Sequence, residues 1–427
     1  MVDTETRGPV AHWTISVAGG FHETSRLCRA HAMTSPLSPP EEVGPRNGDL
    51  PAYVGNGLIG LRVREQPLQP GMTIVNGFVG EHPERRVEAA APAPYPLAGD
   101  LALDGVWLSD QPSAVSELVQ RYDFSTGELT TAFRFEAGPN VAKVTVVTFA
   151  SRSAPAIVLQ EVEVRTAAPC AVGLRAIVET GGLRGRVVRR RTDTPGEPEP
   201  ASDGSLLWES DGALSQCGYA LTTEATGGTP VSRSVQTWDA TGPLRTEYVL
   251  RSRSGRPVRL RQMAAVLPSM VHQRPDEEAT RRIARARATG FETLRRRNRE
   301  AWAEIWQSRI VVRGASERHQ ALIDAAVFYL NSSVHKASPS ATSIFGLATW
   351  HDYTYYYGHV MWDVDAFCVP PLLFVQPDAA RAILGFRTRG LAAARANAAL
   401  SGRDGLQFPW EAAPRSGEEA APGAGES

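Results

Sequence analysis

The sequence predicts a β-plus-α multidomain chain. An N-terminal antiparallel β-sandwich is expected over residues 46–272, a helical linker over 273–314, and the opening of a larger helical domain over 315–427. Three observations carry this. Between about 48 and 270, short β-branched runs alternate with clusters of Gly, Pro, Asp and Ser, as in a protein of many short strands. At Pro275 the apolar period changes to that of a helix. Beyond Gly314 the helical segments are too apolar to bury their faces on one another alone.

Taken in order, residues 1–45 show no sustained period and read as an irregular leader. Ser35 to Pro40 is a loose linker, and Met33 is an alternative start. Ala30-His31-Ala32 has the form of a cleavage site, but Asp3 and Glu5 outweigh Arg7, and His22, Glu23, Arg26 and Arg29 interrupt the stretch before it. A secretion signal needs a positive start and an unbroken apolar run, so a cytoplasmic location is the expectation. Ala142–Phe149, Ile157–Val164, Thr246–Arg251 and Pro257–Leu267 read as strands, and Arg191–Gly204, with Pro195, Pro198 and Pro200, as a loop. Pro275 followed by Asp276-Glu277-Glu278 marks a helix start, since acids favour the first turn. Ile283, Phe291, Leu294, Trp302, Ile305 and Trp306 continue at helical spacing, and Gly290 splits them between two helices. Glu317–His335 forms another, with Leu322, Ala326, Tyr329 and Leu330 on one side. Asp363–Phe374 and Pro377–Leu400 follow; Pro370-Pro371 must kink or break the first, and Pro377 suits the first turn of the second.

Composition narrows the function. The 427 residues carry 45 basic and 46 acidic side chains, a formal net charge of -1. That balance excludes a dedicated nucleic-acid binder, which needs a basic excess. No run of 18 apolar residues occurs, so no membrane-spanning helix is expected. Cys28, Cys170, Cys217 and Cys368 lie far apart, which fits neither a disulfide scaffold nor a structural zinc site. Lys143 and Lys336 are the only lysines, a bias expected of a GC-rich bacterial genome. Residues 276–300 hold eight arginines against five acids, which reads as a solvated helix face laced with ion pairs; a phosphate- or nucleic-acid-binding strip is the alternative.

Gly55-Asn56-Gly57-Leu58-Ile59-Gly60 matches the spacing of a dinucleotide loop. That loop must open a helix, whereas Leu61-Arg62-Val63-Arg64 alternates like a strand, so a hairpin turn is expected. His351 and His359 lie eight apart without a third ligand at metal spacing, which favours substrate contacts or core packing over a metal. The informative region is 344–419. Trp350, Tyr353, Tyr355, Tyr356, Tyr357, Trp362 and Phe367 interleave with His351, Asp352, His359, Asp363 and Asp365, and Phe408-Pro409-Trp410-Glu411 follows. Flat rings beside carboxylates suit a sugar, whose C–H faces stack and whose hydroxyls donate. The same residues can equally be core aromatics and helix caps, with Asp363 as the cap.

Three strings together resemble glycoside hydrolase family 65: Gly358-His359-Val360-Met361-Trp362-Asp363-Val364-Asp365-Ala366-Phe367, Pro377–Leu384, and Phe408-Pro409-Trp410-Glu411. Tyr53-Val54-Gly55-Asn56-Gly57 is similar to that family's N-terminal turn. The resemblance spans about 45–419. It implies a β-sandwich, a helical linker and an (α/α) barrel, of which this chain holds the first helices and is truncated early. It implies cleavage of an α-glucoside with inversion, by hydrolysis or by phosphate. It implies no metal or organic cofactor, with phosphate as co-substrate in a phosphorylase, and a disaccharide or other α-glucoside as partner. Dimers occur among such enzymes, so a homodimer is an expectation.

Carried over, Trp362 and Asp363 match the family's Trp-Asp pair facing the terminal glucose, and Trp410 and Glu411 its Trp-Glu pair. His359 and Asp365 are supporting candidates. Val364-Asp365 is nearer the hydrolases, since phosphorylases more often carry Thr-Glu there. The family's acid glutamate belongs to a later Gly-Pro-Asp-Glu type segment, and none stands between Glu411 and Ser427; Glu418 and Glu419 match a stretch upstream of it. The expectation is that this chain alone is inactive, or is a non-catalytic sugar-binding remnant.

Overall fold

The computed structural model describes residues 12–16, 52–192, 202–237, 240–348 and 355–421. The cleavage-like Ala30-His31-Ala32, the linker Ser35–Pro40, the tip of the Arg191–Gly204 loop, and Trp350, His351, Asp352 and Tyr353 lie outside them.

Among the described residues, twenty strands and six α-helices follow one another. The strands are β1 (His12–Ser16), β2 (Ala52–Gly55), β3 (Ile59–Val63), β4 (Thr73–Glu81), β5 (Glu88–Ala93), β6 (Tyr95–Leu103), β7 (Val106–Trp107), β8 (Val115–Asp123), β9 (Glu128–Ala137), β10 (Asn140–Ala150), β11 (Ile157–Thr166), β12 (Ala171–Glu179), β13 (Gly185–Thr192), β14 (Gly204–Ser210), β15 (Gln216–Thr226), β16 (Thr229–Val235), β17 (Leu244–Arg251), β18 (Val258–Pro268), β19 (Val360–Met361) and β20 (Glu411–Ala412) among the described residues. The helices are α1 (Pro275–Thr289), α2 (Phe291–Trp306), α3 (Glu317–Ser332), α4 (Val369–Val375), α5 (Pro377–Arg389) and α6 (Leu391–Leu400). Within the segment read as an irregular leader, β1 is a strand, paired antiparallel with β8; five residues are too few to show a period.

All strand pairings among the described residues are antiparallel. A nine-stranded sheet (β1-β8-β9-β10-β11-β18-β15-β14-β13) faces a five-stranded one (β16-β17-β12-β6-β7). Phe133, Phe135, Val144, Val164 and Leu260 of the first meet Leu101, Leu103, Val172, Leu174 and Leu250 of the second. Alternation places these residues on one face of each sheet, so the two apolar faces close on each other. A four-stranded sheet (β2-β3-β4-β5) shares the second core, where Ile59, Leu61, Val75 and Phe78 join Phe149, Leu159, Val266, Ile283 and Trp302.

The helices α1 and α2 lie on the nine-stranded sheet. Gly290 separates them with a φ of 84°, and the six apolar positions from Ile283 to Trp306 are buried. The start of α1 runs so close to β15 that a Cβ on Gly218 would stand 2.0 Å from the Pro275 carbonyl carbon. The arginine-rich face carries ion pairs: Arg281 and Arg282 with Glu278, Arg296 with Glu300, and Arg295 and Arg299 together on the buried Glu128 of β9.

The helix α3 corrects an expectation. It ends at Ser332, and its buried side is Asp324, Phe328, Asn331 and Ser332, while Leu322 and Tyr329 are exposed. The polar members have partners, which is what makes that face buriable. Arg309 grips Asp324 with two hydrogen bonds of 2.9 and 2.7 Å, and Phe328 stacks on Phe124 and Trp302 at 4.3 and 4.7 Å. Arg152, buried between the sheet and α3, caps the helix end by donating to the carbonyls of Asn331 and Val334, with Trp302 5.1 Å away. Further on, the Pro370-Pro371 break is met by a π-helical turn, Val364–Cys368, closed by the Val369 amide on the Val364 carbonyl. The helix α4 then starts with both prolines in its first turn, where their missing N–H groups are not needed. No helix among the described residues is long and apolar enough to cross a membrane.

Candidate active site

The site candidates meet at a two-stranded ribbon. β19 pairs with β20, Val360 opposite Ala412 and Met361 opposite Glu411. The Trp362 amide donates to the Trp410 carbonyl at 3.3 Å, extending the ribbon by one bond. Residues 48 apart in sequence thus become neighbours. The Trp410 indole N–H donates to Asp363 Oδ2 at 3.2 Å. Asp363 has helical dihedrals and no capping bond, so its carboxylate serves the indole rather than a helix end. Trp362 is 47% exposed.

Glu411 is buried, with Oε1 2.6 Å from His359 Nδ1. His359 is fully buried, and its Nε2 donates to the Glu88 carbonyl at 2.7 Å. Both ring nitrogens are therefore occupied, and His359 has none to offer a ligand. Asp365 is set apart from the ribbon by Arg387, which donates to its Oδ2 from Nε at 2.8 Å and pairs through Nη2 at 2.7 Å. Trp362, Asp363, Trp410, Glu411 and His359 are brought together; Asp365 sits behind them as half of an ion pair.

The approach to the ribbon is strained. Tyr356 and Tyr357 have φ of 48° and 56°. Left-handed geometry costs about 1–2 kcal/mol for each non-glycine residue. It is held by the His359 amide on the Tyr356 carbonyl (2.8 Å), by His82 against the Tyr357 ring (4.4 Å) and by Phe345 stacked on Tyr356 (6.4 Å). Strain of this kind persists where surrounding contacts over-determine it, often at functional sites.

Glycine and asparagine seat this region on the N-terminal sheet. Gly57, at φ 88°, turns between β2 and β3, and a Cβ there would lie 2.2 Å from the Val334 carbonyl carbon. Asn56 Oδ1 accepts the amides of Leu58 and Ile59, and its Nδ2 donates to Ser151 and Pro155 carbonyls. The glycine-rich string is a hairpin turn followed by a strand, as expected, and a dinucleotide loop is excluded.

Sequence reasoning missed Glu88, His82, Arg387 and Arg415. Glu88 Oε1 accepts the amides of Arg415 and Ser416 at 2.6 and 3.1 Å, and the Arg415 guanidinium donates to the Leu214 carbonyl. Glu88 lies in a stretch of alanines more than 250 residues before its partners, with no local pattern to mark it. Among the described residues no three of His, Cys, Asp and Glu are grouped to hold a metal ion.

Two family profiles match. One described as the N-terminal domain of glycosyl hydrolase family 65 covers residues 52–305, and one described as that family's central catalytic domain covers 325–425. The chain belongs to glycoside hydrolase family 65. A kojibiose hydrolase of Flavobacterium johnsoniae is 26% identical over 379 residues, covering 86% of this chain and 52% of that protein. A kojibiose phosphorylase of Thermoanaerobacter brockii is 39% identical over 138 residues, 31% of this chain and 17% of that one. A protein-glucosylgalactosylhydroxylysine glucosidase of Danio rerio is 36% identical over 129 residues, 28% of this chain and 20% of that one. Among solved structures, a human-microbiome protein described as a candidate kojibiose phosphorylase superposes with a TM-score of 0.71 at 16% identity, over 86% of this chain and 50% of that one. The chain thus spans about half the length of the family 65 relatives that it matches along most of its own. The family includes both hydrolases and phosphorylases, and the chain is an enzyme by family.

Proposed function

We propose that this chain carries the glucose-facing half of an inverting family 65 enzyme that cleaves an α-glucoside by hydrolysis. The observation that carries this reading is the ribbon that joins Trp362-Asp363 to Trp410-Glu411 through the indole–carboxylate bond. It offers a half-exposed indole and two carboxylates to one small polyol. Trp362 and Trp410 take the sugar's C–H faces, and Asp363 and Glu411 accept its hydroxyl protons. Arg387 holds Asp365 as a support. In the hydrolysis a carboxylic acid protonates the leaving oxygen as the C1–O bond breaks, and a carboxylate takes a proton from the water that bonds to C1 from the opposite face. No Gly-Pro-Asp-Glu segment stands in the 427 residues. General-acid help is worth about 10²- to 10⁴-fold, so turnover in this reading needs that acid as well as the residues that hold the glucosyl unit.

The helices α3 to α6 are the first of an (α/α) barrel in this reading. Leu322, Tyr329, Leu373, Phe374 and Leu400 are exposed on them, an apolar surface suited to further helices. The same exposure fits a non-catalytic sugar-binding remnant. A phosphorylase is the other alternative, favoured by the 39% identity to the Thermoanaerobacter brockii enzyme over 138 residues.

Kojibiose is the first substrate to try, since it is named for relatives of both kinds. Glucose release by the intact protein is measured with and without phosphate. Release in phosphate-free buffer supports hydrolysis. Strict dependence on phosphate, with glucose 1-phosphate formed, refutes it. Binding without release by any chain containing these residues leaves the remnant reading.

A further inference from the structure

We propose that Glu88, a residue of the N-terminal sheet, is a positioning residue for the Glu411 carboxyl through two groups: its main-chain carbonyl fixes which atoms of His359 carry protons, and its carboxylate holds the chain just after β20. The inference rests on the reading of Glu411 as a glucose-facing group.

A main-chain carbonyl only accepts, so the 2.7 Å contact from His359 Nε2 to the Glu88 carbonyl requires a hydrogen on Nε2. A neutral imidazole with Nε2–H has a bare Nδ1. That nitrogen lies 2.6 Å from Glu411 Oε1. Two bare acceptors at that distance repel, so one proton lies between them, on the nitrogen or on the oxygen. His359 and Glu411 together therefore carry no net charge in either arrangement. Glu411 is left with one oxygen, Oε2, for a sugar hydroxyl.

Glu88 also fixes the other strand of the ribbon. Its carboxylate accepts the amides of Arg415 and Ser416, three and four residues after the end of β20, where the chain turns away. Ser340 Oγ donates to the Pro414 carbonyl at 2.6 Å beside it. One residue of β5 thus holds β19 through His359 and β20 through the turn that follows it. The groups facing the pair are Tyr357, whose ring lies 5.5 Å from the His359 ring, and His82, packed on Tyr357.

The decisive experiment is nitrogen NMR on ¹⁵N-histidine-labelled protein, with His359→Gln identifying the resonances. The expected result is a proton on Nε2 and a low-field proton on the Nδ1–Oε1 bond. In Glu411→Gln the amide donates to Nδ1, so the low-field proton disappears while Nε2 keeps its hydrogen. A His359 with bare Nε2, or the lack of any low-field proton shared between Nδ1 and Oε1 in the unsubstituted protein, overturns the proton assignment whether or not glucose binds. Glucose titration by calorimetry tests the positioning. Glu88→Ala is expected to weaken glucose about tenfold, the equivalent of one charge-assisted bond. Glu88→Gln, whose amide oxygen still accepts both main-chain amides, recovers most of that loss. Equal affinity in Glu88→Ala and the unsubstituted protein overturns the positioning role. Failure of the unsubstituted protein to bind glucose refutes the sugar site instead, and the proton assignment still stands or falls on the spectra.

Discussion

His335 is expected to make the junction between sheet and helices acid-labile. It follows α3, is 8% exposed, and lies near the buried guanidinium of Arg152. Burial first, and the repulsion of Arg152 second, push its imidazole down to about 4 from an ordinary 6.5. The geometry agrees, because Nδ1 accepts the Ala337 amide at 3.0 Å and must be unprotonated to do so. The folded value lies below the unfolded one, so between about 4 and 6.5 the unfolded chain binds the extra proton. Stability is then whole above 6.5 and falls as pH drops through that window. The full loss is about 3 kcal/mol, and the part between pH 7 and pH 5 is about 2 kcal/mol. His335→Asn supplies an acceptor in the place of Nδ1 and does not titrate. Urea unfolding at the two pH values, followed by tryptophan fluorescence because Trp302 lies by Arg152, compares the proteins. Carboxylates that titrate in both cancel in the difference. The unsubstituted protein should lose about 2 kcal/mol more than the variant. Equal losses in the two would refute the reasoning.

Other changes have equally direct outcomes. Trp410→Phe removes the indole donor from Asp363; glucose affinity should drop about tenfold with the fold intact, since a hydrogen bond to a charged group is worth about 1.5–3 kcal/mol, and calorimetry would show it. Glu128→Gln leaves Arg295 and Arg299 without the anion they share. Breaking a buried pair costs about 3–5 kcal/mol, but Arg299 is half exposed, so the lower end is expected in the urea midpoint. Burial raises the Glu128 carboxyl and the two arginines outweigh it, leaving it below the usual range. Gly57→Ala meets the Val334 carbonyl and an unfavourable φ at once; soluble yield should fall and protease sensitivity near 334 should rise.

Local signals made the strands, the α1–α2 split at Gly290 and the proline break legible, because each depends on residues close in sequence. The ribbon was not, since nothing in Met361 or Glu411 alone announces a two-residue pairing across 50 positions. The face of α3 was misread for a related reason. Leu322, Ala326, Tyr329 and Leu330 form the more apolar stripe, but burial followed the partners available: Arg309 for Asp324, and an aromatic stack for Phe328. Of the site, the Trp-Asp and Trp-Glu strings were visible as residue types, and Asp363 as either cap or ligand. Its helical dihedrals, the missing capping bond and the 3.2 Å bond from Trp410 count against the cap. Glu88 stayed hidden because its carbonyl, not its side chain, holds His359.

The four-stranded sheet is part of the site's foundation rather than a separate module beside it. Each of its turns or strands nearest the helices devotes a polar group to the segment behind the ribbon. The Gly57 carbonyl accepts the Ser338 hydroxyl at 2.7 Å. Asn76, buried on β4, accepts the Ser340 amide at 2.8 Å and donates to the Ala341 carbonyl at 3.0 Å. Glu88 on β5 takes the two amides at 415 and 416. A buried polar group stripped of its partner costs about 1–3 kcal/mol, so three such seats are comparable to much of a domain's net stability of about 5–15 kcal/mol. The helical segment should then lose its ordered ribbon when expressed without the sheet. Residues 315–427 alone are expected to be digested rapidly throughout, whereas in the intact chain the 334–343 and 411–416 segments are protected. Stable, glucose-binding 315–427 would show that the ribbon holds itself, and that the seats on the sheet are incidental.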